Sequence, residues 1–499
     1  MSHRSRFTLT ALTLIAAAAF APQAQASGFQ LREQSPLALG NAFAGVSAGG
    51  SDISSLYFNP AVMTQYDGVQ FSFGGTYIGL SAKFNDASGT RTPVLAGLGF
   101  LVAPGTGTDL STISGPTSHG NAAISAVLPE FNIMYSVSDD LKIGLSLNVP
   151  FGLATEYEAN WVGRYHALKT DLKTVDIAPS IAGRITKELS FGFALIARRA
   201  DAELSNGVDF GTALALKVGP ALAAAGMSPV SPGAGQNSPV ATVAMGNPSA
   251  ALGTPGFAIP GAWDGTAGLK GGCWAYGYKL GLTYEPSANF RLGAAYNGAM
   301  SMTLTGQAEF SYPAAIPATD LAALQAAGLR NTAGQAELNL PATASIGFTW
   351  KADSGFTLEG EFARTSWSTF KELRVNFASG APDSVTDESW QNTTFASLGG
   401  TWKTNSPWTF RAGLAYDSSA VDITHRTPRI PDNDRKWASV GASYKLSKKT
   451  TFDVGYSRLF IADGKVQLTA ANDNITRGNL NGSIKAAINL AGFQVRHNF

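Results

Sequence analysis

Chemistry at neutral pH needs nucleophiles, general bases or metal ligands held close together, and this chain spaces its candidates far apart. After the N-terminal His3, its histidines are His119, His166, His425 and His497. No Ser-His-Asp order and no metal-ligand spacing links them. The reading is therefore of no catalytic residue, no metal and no cofactor, and a hydrolase is the weakest of the functions considered. What remains is charge. A buried cation can hold a carboxylate, and Arg198 and Lys279 fall on the polar side of segments that alternate with period two. Glu359 and Glu361 share that kind of face, so pairing among charges of both signs is the other use for these cations.

The elements that carry those charges are strands. In the last eight residues, GFQVRHNF, Phe493, Val495 and Phe499 fall on one side, interrupted by His497, while Gln494, Arg496 and Asn498 fall on the other. In Trp274–Tyr284 every second residue is large and apolar or aromatic, and those between are small or polar. Similar stretches recur at Val69–Tyr77, Val175–Ile181, Phe290–Tyr296, Ala342–Trp350, Ala396–Trp402 and Phe452–Tyr456. A soluble sandwich turns the apolar face inward; an outer-membrane barrel turns it outward to lipid and lines its lumen with the polar face.

Composition decides between them. Charged residues make up only 14% of the chain, against ~25% in an average soluble protein. His3, Arg4 and Arg6 precede an apolar run, Leu9–Phe20, and Ala24-Gln25-Ala26 offers a cleavage site, so residues 1–26 are expected to be a signal peptide. The lone Cys273 allows no intramolecular disulfide in an exported chain. No later stretch is long and apolar enough for a membrane helix. The net charge of +1 gives no reason to expect nucleic acid. The fold expected is an all-β, antiparallel transmembrane barrel.

Connection lengths support the barrel independently. Short turns at Ser138–Asp140, Lys187–Glu188, Pro286–Ala288, Ala352–Ser354, Asn405–Pro407 and Ser447–Lys449 alternate with long loops, among them 207–272 and 311–334. Short periplasmic turns against long extracellular loops are the barrel asymmetry. Six turns and seven loops imply about fourteen strands spanning 69–499. Residues 27–68 precede the first strand, lack alternation and contain too many apolar residues for a solvated tail. They are expected to fold back as a small, partly helical hatch that plugs the lumen. Two long loops hold helix-prone runs, one from Phe210 and one at Leu321–Arg330, the latter expected to be capped by Thr319 or Asp320.

Several short motifs, in order along the chain, resemble the FadL-type outer-membrane transporters of long-chain fatty acids and other hydrophobic compounds. Gly28-Phe29-Gln30-Leu31 and Asn59-Pro60-Ala61 resemble that family's hatch, and Asn148–Glu156 the end of its third strand. Thr365–Ser368 is similar to a later strand, and Ile430–Arg435 to the return from a late loop. The resemblance implies passive uptake: capture by the long loops, binding in a lumenal pocket reached by Phe29, hatch movement, and sideways release at a kink in the third strand. Asn148, Pro150 and Gly152 match that kink, and Arg435, beside the matched loop, joins Arg198 and Lys279 as a candidate for a carboxylate.

The expected location is the bacterial outer membrane, and the expected state a monomer. The expected partners are fatty acids or aromatic hydrocarbons, the membrane's lipid and lipopolysaccharide, and the barrel-assembly machinery. A channel specialised for aromatic hydrocarbons and a general diffusion porin are the alternatives.

Overall fold

The strand Lys169–Arg184 follows the rule on which the molecule is built. Its Val175, Ile177 and Ile181 are exposed, while Thr174, Asp176, Ala178 and Ser180 are buried. In water such a strand would be inside out, so the apolar outer face requires lipid. The computed structural model describes residues 28–50, 52–97, 109–224, 260–352 and 354–499. The expected signal peptide, 1–26, lies outside the described residues.

Fourteen antiparallel strands form a closed barrel. They begin with β1 (Val69–Thr90), β2 (Ala126–Ser136), β3 (Leu141–Asn148, resuming as Gly152–Glu156), β4 (Lys169–Arg184) and β5 (Leu189–Asp209). Next come β6 (Asp264–Ser287), β7 (Phe290–Asn297, prolonged by Met300–Ser311), β8 (Thr332–Leu340 and Thr343–Lys351), β9 (Phe356–Thr365, prolonged by Glu372–Phe377) and β10 (Thr393–Lys403). The ring is completed by β11 (Trp408–Asp417), β12 (Arg435–Lys445), β13 (Thr450–Ile461) and β14 (Asn479–Asn498).

β14 lies against β1, with Asn498 opposite Gln70 and Asn479 opposite Thr90, and this pairing closes the ring. Closure leaves no open sheet edge to be satisfied in hydrocarbon. The Phe499 amide donates to the Val69 carbonyl at 3.0 Å, and its ring is exposed at the rim. Trp350, Trp402, Trp408 and Tyr444 are exposed beside the short turns, an aromatic girdle of the kind that sits at headgroup level.

At the opposite end the loops carry helices. An α-helix, Phe210–Ala224, begins where Asp209 accepts from the Thr212 amide at 2.9 Å. A second, Ala318–Ala326, starts earlier than the sequence suggested: Pro317 occupies the N-cap without a side-chain bond, so Thr319 and Asp320 lie inside the first turn and do not cap it. Pro317 instead accepts through its carbonyl from the Asp320 and Leu321 amides, at 3.1 and 2.9 Å. Leu95, Phe210, Leu214, Trp263 and Leu324 bury one another in this loop cluster.

Candidate functional site

Residues 28–50 and 52–66 pack inside the ring and are built largely from short helical turns. In Pro36–Leu39 the Ser35 hydroxyl accepts from the Ala38 amide at 3.1 Å, with Pro36 as the first helical residue. Asn59-Pro60-Ala61 repeats the design: Asn59 Oδ1 accepts from the Ala61 amide at 2.9 Å and Pro60 starts a 3-10 turn. The Asn59 amide nitrogen then reaches outward to the carbonyls of Leu282 on β6 (3.0 Å) and Ala294 on β7 (3.3 Å). So the motif caps its own turn and ties it to the wall. A Cβ on Gly192 or Gly281 would collide with Ala61 or Asn59, which is why bare backbone lines the wall here. On the far side Asn41 donates to Glu359 at 2.8 Å and the Ser47 amide to Glu361 at 3.1 Å. Both lumenal glutamates therefore bind the N-terminal segment.

The wall is interrupted where the sequence placed a kink. β2 pairs with β3 only from Phe131–Leu147 to Ser136–Lys142, so Ala126–Glu130 have no partner on that side. Pro129, which has no N–H to offer, lies on that unpaired edge. β3 stops after the buried Asn148 and resumes at Gly152. Its vacated backbone groups are taken by the N-terminal segment. The Leu31 amide donates to the Pro150 carbonyl (2.8 Å) and the Gly152 amide to the Phe29 carbonyl (3.1 Å). The Gln34 side chain takes both backbone groups of Val149, donating to the carbonyl at 2.7 Å and accepting from the amide at 3.1 Å. Gln30 and Phe151 form an antiparallel bridge between them. Residues 29–34 thus replace a missing stretch of neighbouring strand.

Beside that bridge Phe29, 4% exposed, sits in an aromatic cage. Its ring centroid lies 4.8 Å from Trp367, 5.6 Å from Trp390 and 5.9 Å from both Phe151 and Phe370, each edge to face. Phe151 comes from the break in β3, and Trp367 and Phe370 from the break in β9. Breaks in a ladder re-aim side chains, and here they turn three aromatics onto one phenyl ring, with Trp390, from the connection before β10, as the fourth. Sequence reasoning assigned no role to these four. The available signal was an aromatic in each place where alternation fails.

The three predicted cations are not brought together into one carboxylate clamp. Arg198 is held by Asp176 through two bonds of 2.6 Å, with its guanidinium 4.8 Å from the Phe151 ring. Arg435 bonds Asp432 at 2.8 Å and the Gly28 carbonyl at 3.2 Å, and Asp432 accepts the Gly28 amide at 2.9 Å. Burial pushes the Asp432 carboxyl up, and Arg435 and the Gly28 amide oppose that shift. Together they fix the N-terminal segment next to Phe29.

Lys279 differs. It is buried, donates to the Tyr57 carbonyl and lies 4.1 Å from the Tyr57 ring centroid. Among the described residues no carboxylate is within ion-pair distance of it. It lines a cavity of ≈ 50 Å³ with Gln30, Arg32, Tyr57, Asn297 and Thr343. Ligand pockets commonly measure ~300–1,000 Å³, so this cavity is small for a hydrophobic solute.

Residues 17–499 match the model of the outer membrane protein transport family described as OMPP1/FadL/TodX. The chain belongs to that family. It is 29% identical over 489 residues to the long-chain fatty acid transport protein of Salmonella typhi, covering 95% of this chain and 99% of that one. The crystal structure of a Pseudomonas aeruginosa FadL homologue superposes with a TM-score of 0.76 at 25% identity, covering 95% of this chain and all of that one. The Ralstonia pickettii toluene transporter TbuX shares the fold, with a TM-score of 0.60 at 19% identity over 94% of this chain and all of that one. This FadL/TodX-family barrel is an outer-membrane protein.

Proposed function

We propose that this protein admits long-chain hydrophobic acids through the outer membrane. The loops capture the solute, the Phe29 cage and Lys279 bind it in the lumen, and it leaves sideways past β3. The reading rests chiefly on the lumen-facing backbone groups of residues 149, 150 and 152 being satisfied by residues 29–34, so that displacing the segment from the wall opens both pocket and gap. An apolar solute gains by leaving water, and an aromatic cage inside an otherwise closed lumen offers that gain. A general porin fits poorly with a lumen so filled. A path for aromatic hydrocarbons alone would leave Lys279 without a use.

The same proposal assigns residues 1–26 to export, 27–68 to the hatch and 69–499 to the barrel. It has the barrel-assembly machinery insert the chain as a monomer among lipid and lipopolysaccharide.

Oleate and toluene separate the readings. Lys279→Met should weaken oleate binding to purified protein about tenfold and leave toluene binding unchanged. Equal effects on both would remove the acid from the proposal, and large steady ion currents through the wild type would favour a porin.

A further inference from the structure

On the loop side lies a second cavity of ≈ 190 Å³, bordered by four different loop segments. Two arginines face it. Arg429, 8% exposed, spends its hydrogen bonds on neutral acceptors: the carbonyls of Lys169 (3.1 Å) and Ser205 (3.0 Å), Thr170 Oγ1 and Asn206 Oδ1 (both 3.3 Å). Arg477 bonds Thr386 Oγ1 (3.0 Å), Ser384 Oγ (3.2 Å), the Val385 carbonyl (2.8 Å) and Asn474 Oδ1 (3.3 Å), and its nearest carboxylate, Asp473, is 3.8 Å away. Among the described residues Arg429 is buried and Arg477 partly buried, no carboxylate is hydrogen-bonded to either, and only Asp473, at 3.8 Å from Arg477, pairs with them, so an added anion would stabilise the two guanidiniums.

Unused polar atoms line the same cavity. His166, 7% exposed, lines the cavity too, and among the described residues its Nε2 has no partner. Burial and the two arginines push this imidazole down to about 3, so it stays neutral and Nε2 accepts a proton donor. Thr427 Oγ1, 5% exposed, is also without a partner. Thr424 and Thr469 add hydroxyls to the lining. Two carboxylates border the cavity: Asp387, which accepts from the Ser389 hydroxyl at 2.6 Å, and Asp473, which accepts the Asp387 amide at 3.0 Å.

A bare anion would use the arginines and leave the acceptors idle, and a neutral sugar would do the reverse. We propose that this cavity binds an acidic saccharide, its carboxylate or phosphate on Arg429 and Arg477 and its hydroxyls on His166, Thr427 and the flanking aspartates. The site is separate from hydrophobic uptake and needs none of the residues assigned to it.

Calorimetry on the full detergent-solubilised protein tests this with glucuronate, glucose 6-phosphate, glucose and inorganic phosphate. At least one acidic sugar should bind tenfold or more tightly than both glucose and inorganic phosphate. Arg477→Gln should remove that preference, and Thr427→Val, which keeps the volume, should weaken binding about threefold. Unchanged gel mobility on heating checks that each variant is folded. No binding, or equal binding of glucose and acidic sugar, overturns the proposal, as does full affinity in both variants. Lipopolysaccharide retained by the wild type and lost from Arg477→Gln would identify a surface glycolipid as the source. Equal retention, with glucuronate or glucose 6-phosphate binding intact, would identify a free acidic sugar.

Discussion

β5 and β6 face each other without a break, from Leu189 opposite Tyr284 to Asp209 opposite Asp264. β2 and β3, made of the same alternating residues, pair over only one end of their length. In the first region each strand satisfies the other; in the second, β3 is satisfied at residues 149, 150 and 152 from the lumen, while Ala126–Glu130 of β2 keep an edge without a strand partner. The difference lies in who supplies the partner. The continuous ladder is wall against wall, and separating it would mean unfolding the barrel. At β3 the partner is a segment from the lumen, attached by four backbone-directed hydrogen bonds. At about 0.5–1.5 kcal/mol net for each bond exchanged for water, these four bonds contribute roughly 2–6 kcal/mol, to which the burial of Phe29 adds. The proposed opening is thus confined to the one place where the wall's partner is not itself wall.

The largest effect should come from removing the movable partner altogether. Deleting residues 28–67 leaves every wall-to-wall pairing intact, so the protein should still fold as a heat-modifiable barrel. Its single-channel conductance should rise from near background to a large, steady value. A deletion mutant that remains closed would show that the loops, and not this segment, occlude the lumen.

The next test converts one region into the other. Pro150→Val with Gly152→Thr supplies an amide and two strand formers. A Cβ at Gly152 meets only Leu31 Cδ1 at 2.9 Å, the end of a flexible side chain, so the change is accommodated. Solute uptake by cells should fall to near background, and binding to purified protein should persist. Normal uptake with the strand demonstrably straightened would leave a route past the hatch as the better explanation.

How far all this was legible in the sequence follows from the range of each interaction. Alternation and turn placement are local, so the strands, the short turns and the closing pair of first and last strands were readable. Asn148, Pro150 and Gly152 were placed at a break by the family resemblance; proline and glycine alone do not mark one, since Gly192 and Gly281 face each other inside the unbroken β5–β6 ladder. The partner at that break lies more than a hundred residues away in sequence, and only barrel closure brings it there. The cage was hidden for the same reason: Phe29 and Trp390 meet across the lumen. Arg198 was placed on the correct face, but its commitment to Asp176 depends on the β4–β5 register, in which the two are opposite each other. The misread cap at Pro317 was a local error, in which a proline took the place of the expected polar residue.

A smaller effect is expected from the cage. Phe29→Ala removes the phenyl but leaves its carbonyl on Gly152, so the bridge survives. Losing a buried phenyl contact is worth ~1–3 kcal/mol, and the Kd for a hydrophobic ligand should rise roughly tenfold or more, with heat stability on gels unchanged. Unchanged affinity would reduce Phe29 to packing.

The smallest effect is pH-dependent. Glu388 accepts from the Trp390 indole at 2.8 Å, and burial pushes its carboxyl up to about 8. A raised acid favours the folded form most below its ordinary value of 4.5, and that contribution is lost as pH rises through about 8. Hydrogen exchange at residues 386–390, after correction for the intrinsic rise of amide exchange with pH, should therefore show added opening between pH 5 and ~8.5, while β5 and β6 show none. Glu388→Gln should abolish the dependence.

Everything above depends on residues 29–34 leaving β3 during transport. Gln30 and Phe151 are directly opposed in an antiparallel bridge, a Cα separation of ~4.5–5.5 Å that a disulfide spans. With Cys273 changed to Ser, the pair Gln30→Cys and Phe151→Cys can be locked by oxidation and freed by reductant in one and the same protein. Oxidised protein should take up no hydrophobic solute, and reduction should restore the uptake of the unlocked variant. Equal uptake in the two states, with the cross-link verified by mass spectrometry, would contradict release of the segment as the step that opens the wall.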